Sequence, residues 1–95
     1  MVNANPTAHE LGLIGDDVAG TVEAVFRWGV IVNLGLSKVG FIDALYVDNA
    51  SDYQVGQKVT AILASYDSNK DKFLLRPHGQ IPISDRLRAQ GFDVQ

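Results

Sequence analysis

The stretch whose reading decides the fold runs from Val18 to Leu34, VAGTVEAVFRWGVIVNL. Its first half, Val18 to Phe26, is β-branched, interrupted by Gly20, and carries no apolar stripe at helical spacing. Its second half, Gly29 to Leu34, alternates, with Val30, Val32 and Leu34 on one face and Ile31 and Asn33 on the other. Two strands therefore meet at Phe26-Arg-Trp28-Gly29. Val22 and Val25 can both face inward only if a bulge shifts the period between them, as strongly bent strands require.

Outward from there the pattern repeats. Gly35-Leu-Ser-Lys38 reads as a turn, and Gly40 to Ala44 as a third strand with Phe41 and Asp43 opposite Ile42 and Ala44. Residues 45–57 are polar and read as a connection holding at most one helical turn. Lys58 to Tyr66 is a fourth strand, Asp67 to Asp71 a hairpin turn, and Lys72 to Arg76 a fifth strand that Pro77 ends by removing a ladder donor. Five short strands with a longer third-to-fourth connection predict an all-β closed barrel of the oligonucleotide/oligosaccharide-binding (OB) type. Closure removes exposed strand edges. Ser84 and Gly91 bracket a predicted short helix over residues 84–91. The organisation expected is an N-terminal segment over 1–17 with little periodic signal, a candidate for mobility, then a barrel over 18–77 and a C-terminal extension over 78–95.

Composition sets outer limits. Ninety-five residues allow one domain. The chain has no cysteine, which excludes disulfides, thiolate catalysis and cysteine-ligated zinc. No apolar run is long enough to span a membrane and the start lacks a basic n-region, so a cytoplasmic protein is expected. The net charge is −3. Glu10, Asp16 and Asp17 carry that acidity in the leading segment, which holds no Lys or Arg, while acids and bases balance over 18–76 and again over 77–95. A neutral barrel is not the basic surface that tight phosphate binding prefers.

The blocks Gly20-x-Val22-x-x-Val25-x-x-Trp28-Gly29-Val30-x-Val32-x-Leu34, Gly40-Phe-Ile42, Val55-Gly56-Gln57-x-Val59, Asp67 and Leu75 together resemble the ribosomal-protein-S1-type RNA-binding domain. The resemblance covers about residues 18–76. It implies an S1-type OB barrel that binds single-stranded RNA on the face of its second and third strands, by aromatic stacking with basic side chains alongside. Carried over by position, the first aromatic is Trp28 and the second is replaced by Ile31, which offers apolar contact without a ring. Asp43 stands where the family commonly has histidine, Asp67 is the aspartate before the last hairpin, and Lys72 is the basic residue opening the fifth strand. Ile62 and Leu74 occupy positions that are often basic. With Phe41 flanking, and Lys38 and Lys70 offered to phosphates, the expected RNA site is Trp28, Ile31, Lys38, Phe41, Asp43, Asp67, Lys70 and Lys72.

Each residue has a plainer reading. Trp28 could close the barrel, Phe41 could simply pack, the lysines could be solvated, and Asp43 could be an ordinary strand carboxylate. If Ile31, Ile62 and Leu74 all face outward, they form an apolar patch for a protein partner, such as one in a ribosome-associated or RNA-processing complex, unless Ile83, Leu87 or Phe92 covers it. Other motifs fail. Asp67-Ser-Asn69-Lys-Asp71 starts like a calcium loop but has Lys72 where glycine and His78 where glutamate are needed. Gly35 to Gly40 has the outer spacing of a phosphate-binding loop, yet Phe41 takes the place of its lysine. His9 and His78 lie at opposite ends without metal spacing, and nothing places a nucleophile beside a base. The expectation is a binding module that is not an enzyme, without cofactor or metal, meeting single-stranded RNA weakly and with low sequence preference. The alternative is a protein–protein interaction module on the same scaffold.

Overall fold

In the computed structural model, the residues described are 5–47 and 53–78. The alternation in the deciding stretch becomes two antiparallel strands, β1 (Asp17–Phe26) and β2 (Gly29–Asn33), joined by the two-residue turn Arg27-Trp28. The expected bulge is present, the register shifting between Val22 and Ala24. β3 (Gly40–Asp43) pairs with β2, β4 (Lys58–Asp67) pairs with β1, and β5 (Lys72–Pro77) closes the cylinder by pairing antiparallel to β4 and parallel to β3. The strand order is β1-β2-β3-β5-β4 in a closed barrel. The all-β, five-stranded barrel predicted from the sequence is thus observed. The helix expected over 84–91 lies outside the described residues.

Alternation fills the interior. Val30 and Val32 from β2, Ile42 from β3, Leu63 from β4, and Phe73 and Leu75 from β5 are buried in one cluster. Burying a side chain of this size stabilises by about 1.5–3 kcal/mol. A second bulge, between Leu63 and Ser65, keeps β4 wrapped on β5. β3 stops at Asp43 rather than Ala44, because the Asp43 carboxylate accepts from the Leu45 backbone N–H at 2.9 Å and starts a single 3-10 turn, Ala44–Tyr46.

Within the leading segment, residues 5–16 make defined contacts despite their lack of periodicity. Thr7-Ala-His-Glu10 is a capping box, with Glu10 N–H donating to Thr7 Oγ1 at 3.1 Å and Thr7 N–H donating to Glu10 Oε1 at 2.9 Å. It opens the one-turn helix α1 (Ala8–Leu11). Glu10 is buried and also accepts from Ser37, from the backbone N–H at 2.7 Å and from Oγ at 2.6 Å. The Ser37 hydroxyl and amide, with Thr7, hold its carboxyl down to about 2 against burial. Gly15 N–H donates to the Leu63 carbonyl, and Leu63 N–H to the Asp16 carbonyl, so the segment runs on into the β1–β4 seam.

Candidate nucleic-acid interface

Aromatic side chains gather where the Arg27-Trp28 turn meets β3. Trp28 is 54% exposed and its carbonyl accepts from Ala44 N–H at 3.2 Å, which fixes the turn against the end of β3. Phe26, 45% exposed, stacks on the indole at 4.5 Å with 6° between the planes. Phe41 lies 5.6 Å from the indole and is tilted by 32°. Phe41 is only 4% exposed, so it is a floor and not an open platform. Gly29 makes this possible: a Cβ there would collide with the Phe41 ring and stand 2.6 Å from the Ile42 carbonyl oxygen.

The β4–β5 hairpin supplies the other wall. Asp67 Oδ1 accepts from the backbone N–H groups of Asn69 (2.9 Å) and Lys70 (3.2 Å), an Asx-type turn that sets the loop's course. Asp71, at a positive φ of 57°, accepts from Tyr66 Oη at 2.6 Å and pairs with Lys38 Nζ at 2.9 Å. The Tyr66 hydroxyl, then Lys38, lower the Asp71 pKa, and the same bond to Asp71 raises that of Tyr66. The Lys70 ammonium sits 4.8 Å above the Phe41 ring centre, a cation–π contact, and Lys72 Nζ donates to the Lys70 carbonyl at 3.1 Å. Trp28, Phe41, Asn69, Lys70 and Lys72 line a concavity of about 420 Å³.

Of the eight residues expected at the site, four converge there: Trp28, Phe41, Lys70 and Lys72. Lys38 lies outside the concavity, with its side chain only 9% exposed and paired with Asp71 on the hairpin. Asp67 and Asp43 cap turns through their carboxylates. Ile31 pairs with Phe41 across β2–β3 without lining the concavity. Ile31, Ile62 and Leu74 face away from the core by strand alternation, yet each is half-buried. Ile31 and Leu74 flank Phe41 in register, whereas Ile62 sits opposite Arg76. Among the described residues, the well-exposed large apolar side chains are Leu11, Ile14, Phe26, Trp28, Leu45 and Val55.

Two contributors escaped the sequence reading. Phe26 precedes Trp28 by two residues across a tight turn, and that aromatic-x-aromatic spacing was the available signal. Asn69 lies inside the Asp67–Asp71 stretch that fails as a calcium loop. Among the described residues no group of three metal-ligating side chains converges, and no helix is long and apolar enough to cross a membrane.

No family model and no curated protein matches the sequence. Solved structures do match in fold. GSP13 from Bacillus subtilis is 18% identical with a TM-score of 0.57, over 85% of this chain and 72% of that one. A multidomain protein with nucleic acid binding domains from Streptococcus pneumoniae is 16% identical with a TM-score of 0.64, over 94% of this chain and 33% of that one. In the a/eIF2alpha-aDim2p-rRNA complex from Pyrococcus horikoshii, the matching chain is 25% identical with a TM-score of 0.58, over 80% of this chain and 50% of that one. The barrel has the S1-type OB fold.

Proposed function

We propose that this S1-type barrel is a non-catalytic module that binds single-stranded RNA weakly, with low overall sequence preference. The reading rests on the concavity in which two aromatic side chains, Trp28 and Phe41, meet two lysines, Lys70 and Lys72. Every nucleobase has a π-face, and stacking one on an aromatic side chain is worth about 1–3 kcal/mol. Half-exposed Trp28 is the platform, with Phe26 stiffening it from one side and Phe41 beneath. The Lys70 and Lys72 ammonium groups face the phosphate that such a base carries with it. Two cations and an otherwise neutral barrel give few phosphate contacts, so affinity is low. The likeness to proteins described as containing nucleic acid binding domains, or as bound in a complex with rRNA, supports the same reading.

Titrating oligo-U and oligo-A into isotopically labelled protein tests it by NMR. Expected are shifts centred on the Trp28 indole, Lys70 and Lys72, and an affinity falling with salt by a slope of roughly −0.7 per contacted phosphate. Silence at millimolar oligonucleotide, or shifts confined to the β1–β4 side, removes the RNA reading.

A further inference from the structure

The concavity contains one group that stacking and phosphate contact leave unused. Among the described residues, the Asn69 carboxamide makes no hydrogen bond, because the bond to Asp67 is made by the Asn69 backbone N–H. Its ammonium neighbours, Lys70 above the Phe41 ring and Lys72 beside the Lys70 carbonyl, can only donate. Asn69 is thus the uncommitted neutral donor-and-acceptor on a lining otherwise made of rings and cations. Its location is held from both sides of the loop, by the Asx turn on Asp67 and by the Lys38–Asp71–Tyr66 cluster two residues later. A polar group fixed beside an aromatic platform is placed to read the edge of whatever base stacks there.

Resting on the RNA reading above, we infer that Asn69 is a specificity-determining residue that selects adenine at the Trp28 position. A carboxamide sets an N–H donor next to a carbonyl acceptor. Adenine answers with its N7 acceptor beside its N6 amine, giving two hydrogen bonds in one plane. Guanine shows two acceptors on the same edge, O6 and N7, so one of them opposes the carboxamide oxygen there, and guanine must turn a different edge, O6 beside N1–H, toward Asn69 to make two bonds. A pyrimidine can satisfy the amide but covers less of the indole. One selective pocket on a stacking track leaves the overall preference low, since neighbouring bases are met by their faces.

The experiment compares an oligo-U octamer with two octamers in which one central uridine is replaced by adenosine or guanosine, measured by fluorescence anisotropy on the full chain. The adenosine-containing octamer is expected to bind at least about fivefold tighter than the other two. In Asn69→Ala that preference disappears and the three bind alike, while the unchanged Lys70 amide resonance reports that the Asp67 turn persists. A merely structural role for Asn69 would weaken all three together and keep the ranking, which overturns the assignment. Equal binding of the three octamers to the unsubstituted protein also overturns it, and leaves the RNA reading standing. Binding of none of them removes both.

Discussion

Two concavities of similar size mark this barrel, and they differ in kind. One, about 500 Å³, lies over the β1–β4 seam and is lined by Ala19, Gly20, Thr21, Lys58, Val59 and Thr60. The other, about 420 Å³, is the Trp28 concavity between the β1–β2 turn and the β4–β5 hairpin. The seam offers backbone, small side chains and a single cation, with no ring. The Trp28 concavity offers two rings, two cations and a carboxamide. Volume alone would favour the seam, yet a nucleobase needs a π-face and its phosphate a cation close by. The difference also has a topological origin. The seam lining comes from two strands in direct register, whereas the Trp28 lining is brought together by the β2–β3–β5 pairing from three separated parts of the chain.

The strongest way to break this contrast is Trp28→Ala. Loss of one stacking platform is expected to weaken oligonucleotide binding about 5- to 150-fold, from roughly 1–3 kcal/mol. The half-exposed ring contributes little to the core, so the urea midpoint should move much less than the affinity. An affinity that survives this change would return the seam to contention. A finer test pairs Lys72→Ala with Lys58→Ala. The first should flatten the salt dependence by about 0.7 in slope, and the second should leave both slope and affinity where they were. Equal effects would mean that the two concavities share the ligand.

The smallest expected effect concerns the clip behind the site. The Glu10 carboxyl has its pKa lowered from 4.5 to about 2 by Ser37 and Thr7. A carboxylate with a depressed folded-state pKa contributes stability that is fully present above its unfolded value and is lost as pH falls through the folded one. Docking of α1 should therefore be unchanged from neutrality down to about pH 5 and loosen only toward pH 2. The Ser37 amide resonance, followed by NMR through acid titration, should have its midpoint near 2 and lose this transition in Glu10→Gln. A midpoint near 4.5 would show that the clip does not hold in solution.

The barrel was legible because its signals are local. Alternation at Val30, Val32 and Leu34, the glycines, and Pro77 after Arg76 each act within a few residues, and the observed strand limits follow them closely. The impossibility of burying both Val22 and Val25 without a shift even located the first bulge near its observed place. The site was only partly legible, since side-chain commitments are made by distant partners. Nothing near Lys38 in the sequence announces Asp71, its ion-pair partner in the fold. Phe41 alternates outward but is roofed by Trp28 across the missing Gly29 side chain, which alternation cannot foresee. Thr7-x-x-Glu10 was in plain view as a cap, yet its reach to Ser37 was not.

β5, the last strand among the described residues, is also the one that joins everything. β1, β2 and β3 form a hairpin meander from neighbouring segments, but the outer edge of β3 finds its partner only in Phe73, Leu74 and Leu75 of β5. During synthesis, that edge and the apolar faces of Val30, Val32 and Ile42 stay open until nearly the whole barrel has been delivered. Closure of this barrel is consequently a late event set by one long-range parallel pairing, and truncation before Leu75 would leave β4-β1-β2-β3 as an open four-strand sheet with sticky edges in place of a smaller barrel.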